Sequence, residues 1–292
     1  MKFGTLYSYW STSWACSPDH YLALAEKVAS IGFDVLEISA DHLYRMSQAD
    51  IVRLRRAGES LGIGFSVNSG PSREHDLASP DPAVRESGIR YFGTIFEKMV
   101  SLGTDTIAGA IYSFWPDDFV RTDREESWAL SIDSLKSVAG RAEYHGIRVA
   151  LEVLNRFESH ILNTSDEAVR YCERIGSPNM GILLDTFHMN IEEDDMSAAI
   201  RHANARLFHF HVGENNRKLP GMNGTIAWEQ VGKALNAIGY DRAVVMEPFM
   251  ICGGEIGQSI RVWRDLTSGA DQVGMDDHIR RSLSFLREVF SA

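Results

Sequence analysis

Short apolar runs recur along the chain, and each is followed by a stretch whose apolar positions return every three or four residues. The runs over 3–9, 35–40, 63–68, 106–112, 148–154, 180–185, 207–212 and 243–248 predict eight strands. The stretches over 19–30, 47–61, 81–102, 124–144, 165–175, 196–202, 228–238 and 275–290 predict amphipathic helices. Ser165, ahead of Glu167 and an apolar run, reads as a helix start, and Gly32, Gly62, Gly146 and Gly239 read as helix stops. Eight strand–helix alternations without an internal linker predict an α/β fold, a single (β/α)8 TIM barrel spanning 1–292 as one domain. An open doubly wound sheet would want a glycine-rich phosphate loop after its first strand, and Gly4 stands alone there.

Composition changes this picture little. A chain of 292 residues, 44% hydrophobic, is long enough to bury a barrel core without disulfides. The formal net charge of −11 argues against a nucleic-acid partner, which needs a basic face. Cys16, Cys172 and Cys252 are far apart, as expected of reduced thiols. The first residues lack the apolar core of a signal peptide, and no apolar run reaches membrane-spanning length. A cytoplasmic protein with no membrane partner is the expectation.

In such barrels chemistry sits at the carboxyl ends of the strands. The first four candidate strands end in mostly neutral or aromatic residues, whereas the last four each end in a carboxylate or an imidazole. Glu152 lies within VALEVLN, Asp185 within GILLDTFHMN, His209 and His211 within LFHFHVGE, and Glu247 within VVMEPF. A carboxylate in an apolar strand is unfavourable unless paired or bound to metal. One glutamate near a strand end is ordinarily a solvated rim residue; four such groups on consecutive strands converge near the axis. Two Glu, one Asp and one His form an oxygen-rich set suited to Mn²⁺, Mg²⁺ or Co²⁺. His211, nearer the strand end, is assigned to the metal, and His209 to a core or supporting role.

Glu158, His188 and Arg217 follow in the adjoining loops. His188 stands three residues beyond Asp185, within reach of the same cleft, and Arg217 offers a fixed fork of donors for an oxyanion. Tyr7, Tyr9, Trp10 and Trp14, then Phe114 and Trp115, predict an aromatic wall or a cap on the barrel top. The segment ICGGEIGQSIRVWRDLTSGA is longer than a tight turn, and its Trp263 and Arg264 are candidates for a lid or a subunit contact.

At these residues the chain resembles the D-tagatose 3-epimerase / D-psicose (D-allulose) 3-epimerase family of ketose 3-epimerases, on a xylose isomerase-like barrel. The matching segments are YSYWSTSW, GFDVLEIS, SPDPAVR, LEVLNRFE, LDTFHMNIEED, HFHVGENNRKLPG, VVMEPF and VWRDLTSGA, from the first strand to the last helix. The resemblance implies a metal on Glu152, Asp185, His211 and Glu247, with Glu152 and Glu247 as the catalytic carboxylates. It implies Glu158, His188 and Arg217 near O1 and O2 of a ketose, Mn²⁺ as the usual metal with Co²⁺ or Mg²⁺ tolerated, and a homodimer or homotetramer. Leu6 stands where relatives typically carry Phe or Tyr, and Asn68 and Ser69 where some carry small apolar residues. Both positions lie where the distal sugar carbons would sit, with Trp14 and Trp115 as further contacts, and bear on substrate preference rather than on the reaction.

The expected chemistry is C3 epimerisation. One glutamate removes the C3 proton to give a cis-enediolate, the other returns a proton on the opposite face, and the cation polarises the carbonyl. Three rivals remain. An aldose–ketose isomerase would shift the proton between C1 and C2. A non-catalytic sugar-binding barrel would bind without turnover. A multi-metal endonuclease would need further ligands on the early strands and a basic groove.

Overall fold

The computed structural model describes residues 1–291. Its strands are β1 (Lys2–Leu6), β2 (Val35–Ser39), β3 (Gly64–Ser69), β4 (Thr106–Gly109), β5 (Arg148–Glu152), β6 (Met180–Asp185), β7 (Leu207–Val212) and β8 (Ala243–Met246). They run parallel in sequence order and close into a barrel, with β1 paired to β8 from Lys2↔Ala243 to Thr5↔Met246. The helices α1 (Pro18–Ile31), α3 (Gln48–Leu61), α4 (Pro82–Leu102), α5 (Arg124–His145), α6 (Ser165–Ile175), α8 (Met196–Ala203), α9 (Trp228–Ala237) and α11 (Gln272–Phe290) pack outside. Three short helices, α2 (Ala40–Arg45), α7 (Thr186–Glu192) and α10 (Gly254–Ser259), sit in loops at the carboxyl face and carry no long apolar period to announce them.

Several strands stop earlier than the apolar runs suggest. After Leu6 the chain turns into a 3-10 helix over Tyr7–Trp10. At the end of β4, Gly109 takes φ 126°, and a Cβ there would lie 2.2 Å from the Ser69 carbonyl oxygen. Only glycine tolerates both the left-handed region and that approach. Gly109→Ala is therefore expected to lower unfolding stability by about 2–4 kcal/mol. A urea midpoint unchanged from wild type would contradict this.

Helix ends follow sequence chemistry, with small shifts. Gly32, Gly62 and Gly146 are left-handed caps, and Gly103 and Gly176 serve likewise. Gly239 sits one residue past the cap of α9. The N-cap of α6 is Thr164 rather than Ser165, in a capping box with Glu167. The last helix begins at Gln272, three residues before its apolar period, because Asp271 caps it. The three cysteines are free thiols. No described helix is long and apolar enough to cross a membrane.

What positions the site is the barrel register. Residues paired across a parallel ladder share a face, and so do residues two apart. Leu6↔Glu37, Glu37↔Ser66, Ser39↔Asn68, Asn68↔Ala108 and Ala108↔Ala150 carry the inward face from β1 to β5. Glu152↔Leu183, Asp185↔His211 and His211↔Val245 carry it to β8. Between β6 and β7 the register skips from Ile182↔Leu207 to Leu183↔His209, leaving one extra residue, Phe208, in β7. That bulge sets the phase of the strand so that His209 and His211 share the inward face with Leu183 and Asp185. Ala108, Ala150, Leu183 and Phe208 form a separate small apolar cluster. On β5 and β6 it lies two residues below Glu152 and Asp185, as a dry floor.

Candidate metal centre and substrate cleft

Glu152, Asp185, His211 and Glu247 come together as read from the sequence, each offering one ligand atom within 4.8 Å of the others. Glu152 ends β5 and Asp185 ends β6. Glu247 follows β8, where its backbone N–H donates to the Val212 carbonyl at 3.1 Å. Nδ1 of His211 lies 3.5 Å from Glu247 Oε2 and 3.9 Å from Glu152 Oε1. Three of the four are buried, and Glu247 nearly so.

Three carboxyl groups crowded in a dry pocket repel one another. Burial, with Glu247 beside it, pushes the Glu152 carboxyl well above its ordinary range. Burial also raises Asp185, against the pull of His188. Burial alone would depress His211, but the charges of Glu247 and Glu37 outweigh it and raise the imidazole well above its usual value. Asp185 Oδ2 and His211 Nδ1 are buried without a hydrogen-bond partner. Unpaired buried polar atoms of this kind are costly by themselves. A divalent cation would satisfy both at once, and the donor set fits a hard or borderline ion such as Mn²⁺, Mg²⁺ or Co²⁺.

Above the centre opens a cavity of about 430 Å³, and Leu6, Trp14, Asn68, Trp115, Glu158, His188 and Arg217 all line it. His188 has a defined tautomer. Its Nδ1 accepts from the Asn155 backbone N–H at 3.2 Å, with the Asn155 side-chain amide 2.7 Å away. That amide is oriented by Phe157 N–H on its oxygen and Glu158 on its nitrogen. The neutral ring, depressed by burial, therefore presents Nε2–H to the site, 3.7 Å from Glu152 and 3.9 Å from Asp185. His188 reaches this point because Asp185 caps α7 and the chain turns helically, not because it runs on extended.

Arg217 is held at φ 65°, a left-handed conformation uncommon for a residue other than glycine. Its guanidinium lies 3.7 Å from the centre of the Phe187 ring, and Nη2 donates to Glu158 Oε1 at 2.8 Å. Nη1 has no hydrogen-bond partner and lies 3.8 Å from Glu247 Oε2. Burial would raise Glu158, but Arg217 and His188 hold its carboxyl below the ordinary range. Beneath this loop, the buried Glu214 accepts from Gly221 N–H and Trp228 Nε1, fixing the segment after β7.

The aromatic wall is smaller than the sequence suggests. Trp14 and Trp115 meet edge to face at 6.3 Å, and Tyr7 also lines the cavity. Tyr9 and Trp10 turn away, donating to the Met275 carbonyl and Asp276 of α11. Phe114 lines a separate hollow beside Arg73. Trp115 is held by its backbone N–H on the Pro71 carbonyl. Its loop is tied down by Asp117 on His160 at 2.6 Å and His160 on Ser127 at 3.0 Å. The long segment after β8 splits in role. Glu255, Ser259 and Ile260 line the cleft, with Glu255 Oε2 accepting from Ser13 Oγ and Trp14 N–H, while Trp263 is 75% exposed.

The early strands also contribute a charged group that was not singled out from the sequence: Glu37, third residue of β2, is completely buried and faces β7. His211 Nε2 lies 2.8 Å from Glu37 Oε1, and His209 Nε2 lies 2.7 Å from Oε2. Burial would raise this carboxyl, but the two histidines hold it well below its ordinary range. It sits mid-strand, below the strand ends where barrel chemistry is expected. Its signal, a carboxylate inside the apolar run VLEIS, is the one that exposed Glu152. Asn155, which orients both His188 and Glu158, had no such signal.

A model of the xylose isomerase-like TIM barrel family matches residues 25–267. The chain is 43% identical to a D-psicose 3-epimerase of Ruminiclostridium cellulolyticum, across 99% of this chain and 98% of that protein. It is 42% identical to the D-psicose 3-epimerase of Agrobacterium fabrum, across 99% of both. The chain belongs to the ketose 3-epimerases. A crystal structure of a D-psicose 3-epimerase in the presence of D-fructose superimposes with a TM-score of 0.97 at 42% identity, covering all of both chains. Like other ketose 3-epimerases this protein is an isomerase acting on sugars, and a small ketose is its partner.

Proposed function

We propose that this ketose 3-epimerase interconverts free ketoses at C3, of the D-fructose/D-psicose and D-tagatose/D-sorbose type, through a cis-enediolate, with Glu152 and Glu247 as acid and base. The observation that carries this is the pair of buried, partnerless atoms, Asp185 Oδ2 and His211 Nδ1, set between two glutamates at the foot of a sugar-sized cavity. Glu152, Asp185, His211 and Glu247 would hold a divalent cation, Mn²⁺ by preference; when bound, it supplies the positive charge that polarises a carbonyl. One glutamate takes the C3 proton and the other delivers a proton to the opposite face, which inversion without a redox cofactor requires. His188 Nε2–H and Arg217 Nη1 donate to oxygen atoms gathering charge, and Glu158 accepts from a hydroxyl. Trp14 and Trp115 cover the sugar's C–H faces, while Leu6 and Asn68 face its distal carbons. A cytoplasmic homodimer or homotetramer of single-domain subunits completes the reading.

The test is incubation with Mn²⁺ and D-fructose, D-psicose, D-tagatose, D-sorbose or L-ribulose in turn, followed by product separation. C3 epimers are expected; an aldose product would indicate C1–C2 transfer, and unchanged sugar a binding protein. Arg217→Lys keeps charge but loses the fork that spans Glu158 and the cavity. It is expected to lower kcat/KM by about 100-fold. Kinetics within threefold of wild type would remove Arg217 from the reaction.

A further inference from the structure

Among the described strand residues, one acidic side chain, Glu37, is not used by the reaction above. Glu37 accepts from Ser66 Oγ at 2.7 Å and from Asn68 Nδ2 at 3.4 Å, and both imidazoles of β7 lie against its two oxygens. Every one of these groups projects from the inward face fixed by the register Glu37↔Ser66 and Ser39↔Asn68. A completely buried carboxylate with four partners is a committed structural element. Its consequence falls on His211. A histidine that ligates a metal must be neutral; a neutral imidazole has two tautomers, and only the one with a bare Nδ1 can serve the centre. A carboxylate 2.8 Å from Nε2 accepts a proton and donates none, so it selects Nε2–H and leaves Nδ1 bare, toward Glu152 and Glu247.

We propose that Glu37 is a positioning residue: it fixes the His211 tautomer and ring orientation from behind and, through Asn68, ties the metal centre to the part of the cleft that faces the distal sugar carbons. The inference rests on the metal reading of Glu152, Asp185, His211 and Glu247. The same trio, Glu37, His209 and His211, also has the composition of a cation site. Its oxygens are already within hydrogen-bond distance of four donors, and a cation there would displace them. Two cation sites sharing His211 is the competing arrangement.

The experiment has two arms. In the first, Mn²⁺ is titrated calorimetrically into metal-stripped wild-type protein and into Glu37→Gln, with the electron paramagnetic resonance spectrum of bound Mn²⁺ recorded for each. A Gln amide facing His211 with its nitrogen no longer enforces Nε2–H. Binding of one Mn²⁺ by wild type and about 10–100-fold weaker binding by the variant, with an altered spectrum, is expected. A role in packing alone would lower thermal stability and leave affinity and spectrum unchanged, and that result would overturn the proposal. A stoichiometry of two, reduced to one by Glu37→Gln, would overturn it in favour of the second site. Absence of Mn²⁺ binding by wild type would instead sink the metal reading itself. The second arm needs no variant. Long-range ¹⁵N–¹H spectra of wild-type protein loaded with diamagnetic Mg²⁺ should show the proton of His211 on Nε2, and a proton on Nδ1 would overturn the assignment even if Glu37→Gln fails to fold.

Discussion

Glu152→Gln and Glu247→Gln are each expected to lower turnover by about a thousandfold or more, the scale on which general acid–base groups contribute. Both glutamates are also candidate ligands, so loss of activity alone does not separate a missing proton carrier from a missing cation. Isotope exchange does. In D₂O the wild-type protein should place deuterium at C3 of its product, because the proton taken from one face is not the one returned to the other. Each variant keeps one carboxylate. Each should therefore exchange the C3 hydrogen of a single epimer without completing inversion, and the two variants should select opposite epimers. Product formed without deuterium at C3, or variants that exchange both epimers alike, would refute the two-glutamate scheme. Mn²⁺ titration of each variant supplies the control for cation loss.

The sequence displays the parts of this site that obey a period. Alternation of apolar runs and helical stretches gave eight strands in order, because each strand is short, parallel and buried on both faces. Carboxylates within those runs marked Glu152, Asp185 and Glu247, and the two-residue spacing of His209 and His211 put them on one face. Three kinds of information have no local signature. The bulge at Phe208 exists only as a mismatch between β6 and β7, yet it sets which face of β7 turns inward. The loop helices α2 and α7 are each shorter than two full turns, so their apolar positions show no repeat. Asn155 acts by orienting neighbours that are distant in sequence, and its polarity in a loop is unremarkable. Glu37 is different: VLEIS carries the signal of a carboxylate in an apolar run, but at a mid-strand position rather than at the carboxyl rim. The inward face runs deeper than the rim, and the residue behind a ligand can be as constrained as the ligand.

Stripping the cation should destabilise the protein in a manner that grows with pH. Glu152 and Asp185, both raised by burial, hold protons in the folded, cation-free state that the unfolded chain releases above about its ordinary carboxyl value of 4.5 for Glu. A group whose folded pKa is raised stabilises fully below the unfolded value, and that contribution is lost as pH climbs through the folded one. His211, raised by Glu247 and Glu37, has the same sign. His188, depressed by burial from 6.5, opposes this trend at the acid end, so stability of chelated protein should fall most clearly as pH rises from about 7 toward 8. With Mn²⁺ present the same carboxylates ionise against a divalent charge, so the fall should be largely abolished and protons should be released on binding. At a free concentration a thousandfold above Kd, binding contributes about 4 kcal/mol, or a Tm increase of roughly 7 °C for a chain of this size. Differential scanning calorimetry with EDTA or MnCl₂ across that pH range measures the gap directly. Calorimetric titration in buffers of different ionisation enthalpy counts the protons. A gap that is constant with pH, or binding without proton release, would mean that Glu152 and Asp185 are already ionised before the cation arrives, and that some group other than Mn²⁺ balances their charge.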